Sequence, residues 1–206
     1  MHSRPLTLLA AILLGSMSAV LPAQGVRNSP HDFVGQPWQT TGELCLPCHI
    51  PHTQDHAGPI VKPLWSHGMS AANYVLYSSP SLRAQPEQPL GPSRLCLSCH
   101  DGTVALDMFA GRTGTTMLTG EANLTTDLSA THPISIRWTH KGVGACSNCH
   151  YTHGRLFDSP VPFYDGRVEC PTCHDPHNQM ERNPGGTYFL RVPILQSELC
   201  FVCHGK

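Results

Sequence analysis

One pentapeptide occurs five times in this sequence, and it limits what the rest of the chain can do. Cys-Leu-Pro-Cys-His ends at His49, Cys-Leu-Ser-Cys-His at His100, Cys-Ser-Asn-Cys-His at His150, Cys-Pro-Thr-Cys-His at His174 and Cys-Phe-Val-Cys-His at His204. All ten cysteines of the 206 residues belong to these units: Cys45 and Cys48, Cys96 and Cys99, Cys146 and Cys149, Cys170 and Cys173, Cys200 and Cys203. In an oxidising compartment an even cysteine count suggests disulfides, and Cys-x-x-Cys knuckles taken in pairs build zinc sites. Five knuckles is an odd number, and neither alternative requires a histidine after every second cysteine. Cys-x-x-Cys-His is the attachment signature of c-type haem. Each thiol adds to one vinyl group, and the histidine that follows ligates iron from the proximal side. The sequence therefore implies five covalently attached haem c groups, with His49, His100, His150, His174 and His204 as proximal ligands.

The start of the chain reads as a signal peptide over residues 1–23. Arg4 supplies the positive end, Leu6 to Leu14 the apolar run, and Leu21-Pro22-Ala23 the cleavage site. That run is too short to span a bilayer, and no other span follows, so residues 24–206 are expected as one exported haem-bearing unit. Losing Arg4 leaves 12 basic and 14 acidic residues, a net charge of −2, which offers no basic footprint for nucleic acid.

The remaining 183 residues give each haem about 37 to wrap it, too few for a separate apolar core. The porphyrins themselves are expected to form the core, under Leu, Val, Trp and Tyr side chains. With 18 Gly and 19 Pro interrupting nearly every stretch, long helices and wide sheets are not expected. The expected fold is mostly coil with short α-helices and few short strands, a haem-cored multihaem cytochrome c. Ser93 and Ser197 are candidate N-caps for helices carrying Cys96 and Cys200. Tyr74 to Tyr77 and His132 to Ile136 are candidate strands. Spacings of 51, 50, 24 and 30 residues between successive first cysteines exclude a regular solenoid.

Eight histidines remain as distal ligands: His31, His52, His56, His67, His132, His140, His153 and His177. Five irons need at most five, so every haem can be bis-His. Met69, Met108, Met117 and Met180 are the poorer candidates and serve as packing filler. His52, His153 and His177 each follow a proximal histidine by three residues. Residues so spaced lie about 5–6 Å apart on one side of a turn. Such a histidine cannot reach the far face of its neighbour's haem, but it can reach a second haem alongside. Units of this kind tie haems into a wire.

These residues resemble a known family. His31-Asp32-Phe33, the run Cys45 to His52, Pro63-Leu64-Trp65-Ser66-His67, and Cys96 through Ala105 are similar to the outer-surface multihaem cytochromes of the OmcE type. Asp127-Leu128-Ser129, His132-Pro133, Val168 through His177, Phe189-Leu190-Arg191-Val192 and Leu199-Cys200 continue the likeness. The resemblance implies a small coil-rich fold, stacked bis-His haems and polymerisation into extracellular conducting filaments. It also implies that His31, His52, His132 and His177 are the distal ligands of four haems. The segment Arg137 to Arg155 departs from the four-haem pattern. It brings the unit Cys146 to His150 with two candidate distal ligands, His153 and His140, and this fifth haem either sits between the others or projects as a branch. His140, His67 and His56 stay as reserve ligands.

An iron with two protein ligands has no open position for substrate, which favours electron transfer over catalysis, so the chain is not read as an enzyme. Nitrite-reducing pentahaem enzymes share only the haem number; their Lys-ligated attachment motif is missing here. Two readings of the carrier remain. One is the subunit of an extracellular or cell-surface filament; the other is a periplasmic or outer-membrane-docked shuttle between donor and acceptor proteins. His31 lies seven residues after Gln24, and only Gly205 and Lys206 follow His204. That placement suggests a head-to-tail homopolymer in which His31 ligates an iron of the neighbouring subunit. Intact-mass analysis of the exported protein should show five added haems, and a smaller number contradicts one haem per unit.

Overall fold

The computed structural model describes residues 25–50, 64–82, 84–138, 161–177 and 189–204. The signal segment, His52, His56 and the third unit with Cys146, Cys149, His150, His153 and His140 lie outside them. As expected, the described chain is mostly coil, with a few short helices and one small sheet.

The longest element is helix α1, Pro92–His100. Proline suits its first turn, where an N–H has no intrahelical partner, and Gly91 rather than Ser93 stands at the N-cap. The helix ends at His100: Asp101 caps it with its N–H on Leu97 O at 2.8 Å, and Gly102 turns the chain away at φ +69°. A Cβ on Gly102 would meet Asn123 Nδ2 at 2.3 Å, so the turn requires glycine. Leu97, 1% exposed, packs with Tyr74 and Leu128 in a small apolar cluster.

Strands β1, Ile136–Arg137, and β2, Arg167–Val168, pair antiparallel, Ile136 against Val168 and Arg137 against Arg167. Bonds from the Ser135 N–H to Val168 O (2.7 Å) and from the Trp138 N–H to Gly166 O (2.8 Å) extend the contact on both sides. Helix α2, Cys170–Cys173, follows under a capping box of Glu169 and Thr172. Helix α3, Glu198–Phe201, has Ser197 at its N-cap as expected, but in the left-handed region at φ 64° and without a side-chain cap.

The two expected strands are mostly absent, for local reasons. At Tyr74 the Gln88 amide takes the place of a partner strand: it accepts from the Tyr74 N–H and donates to Tyr74 O, both at 2.9 Å. Only Val75 forms a bridge, to Asp127. In the second segment Ser135 sits at φ 54°, which confines extended pairing to Ile136 onward.

A buried carboxylate ties α1 to α2. Glu169, 2% exposed, accepts from the hydroxyls of Ser93 and Ser135, and Ser93 Oγ accepts from the Cys170 N–H at 2.8 Å. Ser93, expected as a cap, is therefore a brace between two attachment units. Replacing Glu169 with Ala leaves these donors buried and unpaired, and should cost about 2–3 kcal/mol in a denaturation experiment. Full wild-type stability in Glu169→Ala would contradict this.

Candidate functional site

All four described Cys-x-x-Cys-His units close the same turn. The His49, His174 and His204 N–H groups bond the carbonyls of Cys45, Cys170 and Cys200 at 2.8, 3.0 and 2.8 Å, and Cys96 to His100 form the last turn of α1. In a helical turn, residues i, i+3 and i+4 share one side. Both sulfurs and the ring of each unit are thereby presented together, and the eight described cysteines are free thiols.

The units are also neighbours of one another. Cys96 shares a hydrogen bond with Cys170, which with burial holds the Cys96 thiol well above its ordinary range. Burial first, and then the nearby Cys48, raise Cys99 to about 12. Burial and then Cys173 raise Cys203 to about 11. The first, second, fourth and fifth units thus follow one another in space, and the second touches the fourth directly.

Units one and four carry the same backbone device. His49 bridges Trp65, and His174 bridges Leu190. Ile50 N–H bonds Leu64 O and Asp175 N–H bonds Phe189 O, both at 2.7 Å. Ser66 N–H to Cys48 O and Arg191 N–H to Cys173 O, both 2.9 Å, close the other side. Leu64 and Phe189 both take a left-handed φ, 60° and 64°. The shared Cys-x-x-Cys-His-x-Pro-His string in the two units was the sequence signal for this repeat.

The described histidines meet in pairs. Ring centres lie 5.9 Å apart for His31 and His100, 5.8 Å for His49 and His177, and 6.3 Å for His132 and His204. A metal–imidazole bond is about 2.0–2.1 Å and the ring radius about 1.1 Å, so two imidazoles trans on one metal have centres about 6.3 Å apart. Each pair joins a proximal histidine to an expected distal one. His177 faces His49 of the first unit, rather than His174 three residues before it. His31 stacks on Phe189 at 4.8 Å and 10°, a contact held by the left-handed Phe189 backbone.

His31, expected as a ligand to a neighbouring subunit, lies beside His100 in its own chain. The turns from Val26 to Gln39, closed by bonds such as Asp32 N–H to Ser29 O (2.9 Å), fold the expected free arm back. Burial, then His100, His177 and His174, lower His31 from 6.5 to about 4. Burial also lowers His132, with His204 adding to the effect. Both rings are neutral near pH 7, the form that binds metal.

Outer bonds set which nitrogen is free. His100 Nδ1 donates to Ala122 O at 2.8 Å and His132 Nδ1 to Pro133 O at 3.0 Å, leaving Nε2 of each for a metal. His67 is different: Nδ1 lies 2.8 Å from Gly68 O and Nε2 2.9 Å from Ala105 O, so this reserve candidate has no nitrogen left to ligate. Among the described residues no group of three or more His, Cys, Asp or Glu is arranged as a metal cage.

The residues fit haem on a further count. The indole N–H of Trp65, whose ring meets His49 edge-on at 6.5 Å, is buried with no acceptor, as is that of Trp138. Buried donors of this kind call for acceptors, and propionate oxygens are such acceptors. No helix among the described residues is long and apolar enough to cross a membrane. No family model matches the chain, and no curated protein matches it.

Since His31 is neutral when folded and can take a proton when unfolded, its contribution to stability is complete above pH 6.5 and is lost as pH falls towards 4. The loss should be on the order of 3 kcal/mol. Denaturation midpoints measured across that window should show a weaker pH dependence in His31→Phe than in wild type; equal slopes would contradict the burial of this ring.

Proposed function

We propose that the chain is an electron-transfer protein carrying five haem c groups with bis-His ligation. The observation that carries this reading is the pairing of histidines at a metal-spanning distance, each pair beside a Cys-x-x-Cys turn. Cys45 and Cys48 with His49 and His177 hold one group. Cys96 and Cys99 with His100 and His31 hold a second, and Cys200 and Cys203 with His204 and His132 a third. His52 stands in the first unit where His177 stands in the fourth, and is assigned to His174 with Cys170 and Cys173. The third unit, Cys146, Cys149 and His150, takes its distal ligand from His153 or His140. Bound in these places, haem supplies reversible one-electron chemistry at iron.

The protein's own part is to fill both axial positions, exclude substrate and hold the groups side by side. The small apolar cluster of Tyr74, Leu97 and Leu128 and the exposure of Leu90, Val75 and Leu195 support a core completed by porphyrin. The resemblance to OmcE-type cytochromes supports a place in an extracellular filament. In the filament reading His31 ligates an iron of the neighbouring subunit; in the shuttle reading it serves the haem of Cys96 and Cys99 in its own chain, beside whose His100 it lies.

Spectroscopy tests the ligation. His177→Ala should convert one low-spin haem to high-spin while all five remain covalently attached; an unchanged spectrum rejects His177 as a ligand. Electron microscopy of the secreted fraction separates the two assemblies, filaments supporting the polymer and discrete particles the shuttle.

A further inference from the structure

The planes of the paired rings differ from pair to pair. His49 and His177 lie within 25° of parallel, whereas His31 and His100 cross at 76°. Each plane of the crossed pair has its own support. His100 is fixed by its Nδ1 bond to Ala122 O at 2.8 Å. His31 is fixed by Phe189, whose ring lies within 10° of parallel to it at 4.8 Å between centres. Aromatic rings favour offset stacking at such separations, and turning either ring loses the contact.

Phe189 is itself tied to the fourth unit. Its carbonyl accepts the Asp175 N–H at 2.7 Å, and Leu190 after it bridges His174. The Arg191 N–H bonds Cys173 O at 2.9 Å, and the Arg191 guanidinium holds Asp175 at 2.9 Å and Pro171 O at 2.8 Å. At φ 64° the Phe189 backbone is left-handed, which a residue other than glycine keeps only where its surroundings hold it. The His31 backbone is anchored from its own side, by its N–H to Ser29 Oγ at 3.1 Å. Stacking occupies the face of the His31 ring, and ligation uses a nitrogen lone pair in the ring plane, so the two do not compete.

We infer that Phe189 is a positioning residue for the second haem: it fixes the His31 ring across the plane of His100, so that the turn of the fourth unit sets the electronic character of the iron at the second. The inference rests on the reading of His31 and His100 as the two ligands of that haem within one chain. Groups behind a ligand orient its ring and tune the metal. Each axial imidazole acts on the iron d orbitals through the π orbitals normal to its plane. Aligned planes separate two of those d orbitals in energy. Crossed planes leave them close together, which raises the largest g value of low-spin ferric iron. Phe189 touches the ligand and not the iron.

The test is electron paramagnetic resonance of the oxidised, haem-loaded protein. His31→Ala should convert one haem from low-spin to high-spin, and the low-spin signal that disappears belongs to the second haem. In wild type that signal should have the high largest g value of crossed planes; the lower value of aligned planes overturns the inference, even where a Phe189 variant fails to fold. Phe189→Met, close in volume but without a ring to stack, should lower that g value while every haem stays attached and low-spin. Phe189→Tyr, which keeps the ring, should leave it in place. An unchanged spectrum in Phe189→Met, or the same change in Phe189→Tyr, overturns the inference. If His31→Ala leaves every haem low-spin, the ligand assignment under the proposed function fails, and the inference fails with it.

Discussion

A single hydrogen bond, from the histidine N–H to the carbonyl of the first cysteine, organises the described chain. It closes a turn five residues long and sets two sulfurs and one imidazole on the same side. Four such turns lie next to one another, and most of the remaining chain connects or braces them. Three of those turns face a second histidine brought in from elsewhere. The rings of each pair lie close to 6 Å apart, centre to centre. A metal between two rings would fit that distance, which ordinary ring packing also gives elsewhere in the chain, as between Trp38 and Phe109 at 6.4 Å.

Because the apolar core is small, buried polar groups carry much of the positioning. Glu169 joins α1 to α2 through Ser93 and Ser135. Asp101, directly after His100, gathers Ser70, Tyr74 and Thr103. Arg191 binds Pro171 O and Asp175 at the fourth unit, at 2.8 and 2.9 Å. Each network sits within a few residues of an attachment turn. Groups of this kind have strict geometry and lose more when broken than an apolar contact does, which suits a chain with so small an apolar core.

The Cys-x-x-Cys-His turns were legible in the sequence because the motif is local: five contiguous residues specify the conformation. The coil-rich fold was legible too, since Gly and Pro act locally. Expectations that depended on partners far along the chain fared less well. Ser93 reads as a cap, yet its partner Glu169 lies 76 positions away and makes it a brace. Tyr74 to Tyr77 has strand-forming side chains, but the Gln88 side chain takes up the backbone groups a strand would share. His31 looks free in a sequence because nothing nearby holds it; Phe189 and His100 hold it from a distance. Composition could count spare histidines but could not show that His67 has both nitrogens occupied by carbonyls.

The pairing of histidines is the claim on which the rest depends. An iron-anomalous or high-resolution density map of the haem-loaded protein tests it most directly. The account predicts iron midway between His31 and His100, between His49 and His177, and between His132 and His204. Iron at His100 with a ligand other than His31, or at His174 with His177, would contradict it.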